Sequence, residues 1–360
     1  MLYLAIDQHR KQLTVNIRNE EGDVLVKRQV STEWERVRAF FDSLRAQAES
    51  EGGFVAILEI CGFNDWLLEM LEEYGCSETV IIQPEKRSKK KTDRRDAAAL
   101  GELLWVNRSR LLQGKPVYQV RRVQPPTPQE RQDRQLTELR RRLTQLRTKA
   151  INRVQHILMR HNLQQECPTK GIQTIKAKEW LSKLDLDWMD RLEMDQLLAQ
   201  WTLLDQQLDE VNMRIEERQN QNDVAHIVAS IPSMGAYSSL AVASRIGPID
   251  RFPRAKSLAN FWGLTPGCRN SGETDRPGSI TKQGSAMVRY ILGQLVARLL
   301  RHDPYMKQWY QRIKKRRGSK IARVAVMRRV AEIIWHMVKY KQAYVTGGPE
   351  AWEKVYGTQP

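Results

Sequence analysis

Two kinds of apolar patterning alternate along the first 85 residues. Residues 2–7 (LYLAID), 53–60 (GFVAILEI) and 79–84 (TVIIQP) are short, nearly continuous apolar runs that fit buried strands. Residues 12–18 (QLTVNIR) and 23–30 (DVLVKRQV) alternate apolar and polar with period two, separated by the turn-like EEGD. The chain should therefore open as a three-stranded antiparallel meander. A helical period takes over from STEWE at 31–35 through Ala48, and again over 64–74. An alanine- and leucine-rich helix follows the last strand. The predicted order is βββαβαβα.

Acids sit at particular places in this pattern. Asp7 ends the first strand and Glu59 lies at the end of the fourth. Asp93 and Asp96 stand three apart, hence on one face, at the first turn of the helix after the fifth strand. One acid at a strand end is ordinary, and an aspartate at a helix start is a good N-cap. Neither explains two such strand ends plus an aspartate pair set in a polycationic loop. Seven of the ten residues 86–95 are basic: Lys86, Arg87, Lys89, Lys90, Lys91, Arg94 and Arg95. This element order, with acids at adjacent strand ends, is that of the RNase H/RuvC-like fold. There, carboxylates surround divalent metal, Mg²⁺ or Mn²⁺, while nearby cations gather a phosphate backbone.

Beyond Leu112 the composition shifts. Residues 113–129 (QGKPVYQVRRVQPPTPQ) read as a linker between a metal-binding domain at 1–112 and a helical coiled-coil region at 130–222. In that region Leu136, Leu139, Leu143, Leu146, Ala150 and Ile157 keep 3-4 spacing, as do Leu197, Trp201, Leu204, Leu208, Val211 and Ile215. A breaker at 166–171 (ECPTKG) and a short helix near 179–184 lie between them. The pattern suits a helical hairpin closed on itself or an arm that dimerises.

Residues 223–345 should form a last, mainly helical domain, with a tail at 346–360. IPSMGAYSSLAVASRIG (231–247) has an apolar-Pro-x-x-Gly turn of the helix-hairpin-helix type, whose backbone N–H groups can face a phosphate. TPGCRNSGETDRPGSITKQGS (265–285) reads as a long loop between helices, with Ser271-Gly272 near its centre and Arg269, Arg276 and Lys282 around them. Long loops of this kind tend to be functional. Lys314, Lys315, Arg316 and Arg317 add further phosphate contacts before an amphipathic helix over 321–338.

Charge narrows the partners. A formal net charge of +17 favours a polyanion, nucleic acid first. No apolar run reaches membrane-spanning length, and the opening MLYLAIDQHRKQ is not a secretory signal. Cys61, Cys76, Cys167 and Cys268 are scattered without CxxC spacing, so a reducing, cytoplasmic and nucleoid-associated setting is expected.

The blocks AIDQH at Asp7, LEICGFNDWL at Glu59, KKKTDRRDAAALGELL at Asp93 and Asp96, IPSMGAYSSLAVASRIG, and FWGLTPGCRNSGETDRPGSITKQG run in that order along most of the chain. Together they resemble the DEDD transposases of prokaryotic insertion sequences, the one-ten family with its eleven-eleven subgroup. The resemblance implies an RuvC-like domain holding metal on Asp7, Glu59, Asp93 and Asp96, a coiled-coil region, and a C-terminal transposase domain. The serine of that last domain, Ser271 here, would attack DNA to give a covalent 5′-phosphoserine link. It further implies a homo-oligomer, dimer or tetramer, with acids of one subunit and serine of another in a composite site, guided by a non-coding bridge RNA. Arg269, Gly272 and Lys282 would meet nucleic acid beside the serine. Ser233 stands where the family hairpin usually has glycine, and Asn270 where many relatives have a second serine; Ser279 and Ser285 are the fallback hydroxyls.

The competing expectation is a metal-dependent junction endonuclease that uses water and keeps its C-terminal domain for DNA binding alone. A third is a non-catalytic nucleic-acid-binding protein. The acids serve both enzymatic readings, so Ser271 separates them.

Overall fold

The computed structural model describes residues 1–83, 93–118, 120–271 and 274–357, with backbone alone at 93–95, 268–271 and 274–277. The chain divides into two compact units, Met1–Pro125 and Pro126–Pro360.

In the first unit β1 (Leu2–Gln8), β2 (Gln12–Arg18) and β3 (Val24–Ser31) form the antiparallel meander. Then α1 (Trp34–Ser50) leads to β4 (Phe54–Glu59), α2 (Asp65–Glu73) to β5 (Cys76–Ile82), and α3 (Asp93–Val106) and α4 (Arg108–Leu112) follow. The sheet order is β3-β2-β1-β4-β5, with β1, β4 and β5 parallel. The continuous apolar runs have a structural cause. Leu2, Leu4, Ile6, Phe54, Ala56 and Leu58 face one core with α1 and α2, while Tyr3, Ala5, Val55 and Ile57 face a second with Leu100 and Leu104 of α3. Parallel strands covered on both faces cannot alternate in polarity. This is an RNase H/RuvC-like sheet.

Part of the stretch expected as a linker joins this unit instead. Gln83 N donates to Arg121 O and Val123 N to Ile81 O, so residues 121–123 lie along the outer edge of β5. An open strand edge is thereby covered.

The second unit opens with α5 (Pro128–Arg160), started by a capping box between Thr127 and Glu130 with proline in the first turn. After α6 (Ile175–Ser182), α7 (Trp188–Asn220) returns antiparallel to α5. The ion pairs record the direction: Asp133–Arg218 at one end, Arg147–Asp205 midway, Arg153–Glu193 and Arg160–Asp190 at the other. Leu143, Leu204, Leu208, Val211 and Ile215 pack in one cluster, and Ile151, Val154, Ile157 and Trp201 in another. Leu143, Ala150 and Ile157 of the first stripe and Trp201, Leu204, Leu208, Val211 and Ile215 of the second are buried in this intrachain hairpin, whereas Leu139 and Leu146 stay exposed.

Next, α8 (Asp223–Ala229) and α9 (Ala236–Ala243) flank the IPSMG turn, where Ser233 has φ 68°, the left-handed region that favours glycine. Then come α10 (Ala255–Phe261), β6 (Pro266–Ser271), β7 (Thr274–Ile280), α11 (Ala286–His302), α12 (Pro304–Tyr340) and α13 (Pro349–Tyr356). Two expectations are corrected here. The long loop is a β-hairpin, and the helix expected from residue 321 is the second arm of α12, which bends at Gly318 (φ 82°, ψ 166°).

Candidate active site

Two acids of the first unit, Asp7 and Glu59, lie near the ends of neighbouring parallel strands. Ile6 pairs with Leu58 in the parallel ladder, and Asp7 and Glu59 each come one residue later. Strand alternation turns both toward the face that carries Ala5 and Ile57, the face covered by α3. On α3, Asp96, Leu100 and Leu104 are spaced by four and share one stripe, and the two leucines are buried in that same core.

Helix direction sets the level. Gly101 sits on Asn16, whose strand partner is Ala5, while Arg18, paired in register with Tyr3, bridges to Glu102 at 2.7 Å. So α3 runs antiparallel to β1. Five residues back along the helix, about 7.5 Å, Asp96 comes level with Asp7, two residues or about 6.6 Å further along β1. A side chain at Gly101 would collide with Asn16 Oδ1, so glycine there permits this close seating. The N-terminus of a helix also favours the negative charge of Asp93 and Asp96. Asp93, Arg94 and Arg95 are in α3 by backbone; their side chains, and Lys86, Arg87, Lys89, Lys90 and Lys91, lie outside the described residues.

A buried polar clamp holds the two strand ends. Asn64 donates through Nδ2 to Gln8 Oε1 (2.7 Å) and Glu59 O (3.3 Å) and accepts from Cys61 N (2.5 Å). Gln8 Nε2 in turn donates to Phe63 O at 2.9 Å. His9 Nε2 lies 3.1 Å from Asp7 Oδ2. Burial pushes the Cys61 thiol up, with the charges of Asp7 and Asp65 adding to the effect. Sequence reading missed Asn64. The signal available was an asparagine just ahead of α2, which caps and turns share.

The serine of the second unit is the last residue of β6, opposite Thr274 of β7, with Arg269 opposite Arg276. Gly272 lies outside the described residues, as do the side chains of Ser271 and Arg269. The base of this hairpin is an interlock of two turns. Gly263 (φ 68°) lies against the backbone of Gln283, and Gly284 (φ 69°) against Phe261 O; a Cβ at either would collide. Lys282 N donates to Gly263 O (3.2 Å) and Thr281 N to Thr265 O (3.0 Å). One guanidinium nitrogen of Arg289 donates to Trp262 O, Gln283 O and Gly284 O, which ties both turns to α11. Lys282 itself has φ 55°, a strained value for a side-chain-bearing residue. The fallback Ser285 is the N-cap of α11, accepting from Val288 N through its hydroxyl oxygen.

Further along, Lys314, Lys315, Arg316 and Arg317 are all exposed on α12 just before its bend. No helix among the described residues is long and apolar enough to cross a membrane.

Among the described residues, one His/Asp trio has ligand atoms that all lie within 4.8 Å, as a divalent ion requires: His161, Asp187 and Asp190 at the far end of the α5–α7 hairpin. Its chemistry is already in use. Asp187 caps α7, accepting from Met189 N and Asp190 N, while Asp190 receives Arg160 and His161. A guanidinium on a carboxylate competes with a metal for the same lone pairs. This trio reads as a lock between helix ends.

A five-stranded RNase H-like sheet with acids at adjacent strand ends, joined to a helical unit bearing a serine hairpin, defines a nucleic-acid-cutting enzyme of the DEDD transposase class. Residues 4–162 match the family profile of the DEDD transposases of the IS110 group, and residues 225–311 match the Transposase IS116/IS110/IS902 family. The chain belongs to this IS110 transposase family. It is 28% identical over 305 residues to the transposase for insertion sequence element IS1111A of Coxiella burnetii, covering 81% of this chain and 79% of that protein. A Sinorhizobium fredii protein named as transposase y4pF/y4sB is 24% identical over 310 residues, covering 81% and 74%.

Proposed function

We propose that this transposase cuts and rejoins DNA through a covalent 5′-phosphoserine intermediate on Ser271, assisted by Asp7, Glu59, Asp93 and Asp96. The observation that supports the acid assignment is the arrival of Asp7 and Glu59 one residue beyond the Ile6–Leu58 pair, on the sheet face packed against Leu100 and Leu104 of α3. The donor set consists of hard carboxylate oxygens, which suits Mg²⁺ or Mn²⁺. A divalent ion held there would supply Lewis-acid polarisation of the scissile phosphate and offset its charge.

The remaining work falls to the chain itself. Ser271 Oγ forms a bond to phosphorus as the bond from phosphorus to O3′ breaks. The hydroxyl proton leaves to solvent and the departing O3′ takes one up, so a 3′-hydroxyl is released and the 5′ phosphate stays on the serine. That ester conserves the energy of the broken linkage, which lets a new 3′-hydroxyl reverse the step without ATP. Arg269 and Lys282 steady the non-bridging oxygens. Lys86, Arg87, Lys89, Lys90, Lys91, Arg94, Arg95 and the Lys314–Arg317 stretch hold backbone phosphates of DNA and of a guiding bridge RNA. Acids and serine come from different copies of the chain in a homo-oligomer. The family resemblance supports the serine, guide and oligomer parts of this reading.

The test is a denaturing quench of a reaction on labelled DNA. The native chain should leave protein on a 5′ end. Ser271→Ala should abolish that adduct while leaving DNA binding nearly intact, because one hydroxyl contributes little to phosphate affinity. Asp96→Asn should abolish it too. If Ser271→Ala cuts at the normal rate with free 5′ ends, the enzyme is a water-using endonuclease.

A further inference from the structure

Near the C-terminus, away from the serine hairpin, a partly open cavity of about 390 Å³ is lined by residues from both arms of α12, the turn after it and α13. Its lining includes five aromatic side chains, Tyr305, Tyr340, Tyr344, Trp352 and His336, of which His336 and Tyr340 stack on each other. The enclosure is built and held. Gly348 (φ 86°) passes so near Tyr305 that a Cβ would lie 2.7 Å from the ring. Trp352 Nε1 donates to Gln342 Oε1 at 3.2 Å, and Tyr356 Oη accepts from Ala343 N at 3.0 Å.

The charge inside has the opposite sign to the rest of the protein. Asp303, Glu332 and Glu353 line the cavity against one guanidinium, Arg329, in a chain of net charge +17. Asp303 is buried, accepting from Tyr344 Oη (2.5 Å) and Met306 N (3.1 Å). Glu332 is shared with Arg328 (3.2 Å) and Arg329 (3.7 Å), and Glu353 is exposed. Burial holds His336 below its ordinary value, so it adds no positive charge near neutral pH.

A phosphate-bearing ligand would meet these carboxylates unfavourably. An ammonium or guanidinium would meet aromatic side chains and carboxylates together, the pairing that recognises organic cations. We propose that this aromatic cavity binds an aliphatic ammonium or guanidinium group, carried either by a free polyamine or by a lysine or arginine side chain of a protein. The proposal stands apart from the serine and acid assignments.

Calorimetric titration of the full chain with spermidine, with a lysine-containing peptide amide and with guanosine monophosphate tests it. One cation should bind per chain. Trp352→Leu should weaken it about tenfold, the range of a partly desolvated cation–π contact, and Glu353→Gln, separately, about two- to fivefold, the range of an exposed ion pair. Glu353 is exposed, so its variant should fold normally and keep the test interpretable. Tighter binding of spermidine identifies a free polyamine as the source, and tighter binding of the peptide a protein side chain. Undiminished binding by both variants would assign the cation to other carboxylates and overturn the proposal. So would preference for the nucleotide, or no cation binding at millimolar concentration.

Discussion

The acids of the first unit and the serine of the second are supported in contrasting ways. Asp7 and Glu59 end strands that are hydrogen-bonded to neighbours on both sides and packed between two cores. Ser271 ends a strand in a two-stranded ribbon whose base is set by two glycine turns pressed backbone to backbone. Side-chain burial fixes the first site; main-chain contact fixes the second. Substitutions should therefore fail differently. At the acids, chemistry can be lost with the fold intact. At the hairpin base, geometry goes first.

The sharpest separation should come from Glu59→Gln. It keeps the shape of a half-buried strand end but removes a carboxylate, so cutting should slow by at least about a hundredfold, on the scale of several kcal/mol of charge stabilisation. Thermal unfolding should barely move. A large drop in melting temperature would mean Glu59 is structural. A smaller effect, mixed in kind, is expected for Gly284→Ala. Its new Cβ meets Phe261 O in a left-handed turn, which should cost about 1–3 kcal/mol and displace the hairpin, lowering adduct yield. Gly267→Ala, in β6, has its nearest neighbours at 3.7 Å and is the control that should leave both measurements unchanged. Equal behaviour of the two variants would remove the interlock from the account. The smallest effect should come from Asp187→Ala, in the tight His161–Asp187–Asp190 trio. Loss of the α7 cap should cost about 1 kcal/mol, read by denaturant unfolding, with the metal dependence of cutting unaltered. A shifted metal dependence would instead make that trio a working ion site.

The same contrast explains what could be read from the sequence. β1, β4 and β5 were legible because burial on two faces writes itself as continuous apolar runs. The α5–α7 pairing was legible as a stripe, though the stripe alone did not say which chain it packs against. The β6–β7 hairpin was not legible. Its residues (PGCRNSGETDRPGSI) carry no apolar alternation, since the ribbon is held by pairing and by glycine contacts that leave no hydrophobic record. The lodging of residues 121–123 along β5 escaped notice for the same reason, as did the bend of α12 at a single glycine. Asp7, Glu59 and Asp96 were singled out in the sequence by their expected positions relative to strand and helix ends. Asn64, which joins those ends, was hidden because its work is done by short hydrogen bonds with no sequence period.

The seating of Gly101 on Asn16 has a consequence for how such a protein can diversify. The depth at which α3 docks, and with it the height of Asp96 beside Asp7, is gauged by a contact in the middle of the helix, well away from the segment that leads into it. Residues 84–92 can therefore gain, lose or exchange cations without resetting the spacing of the carboxylates. On the proposed assignment, preference for a nucleic-acid partner can drift along that stretch of sequence while the seating of α3 stays where the glycine left it.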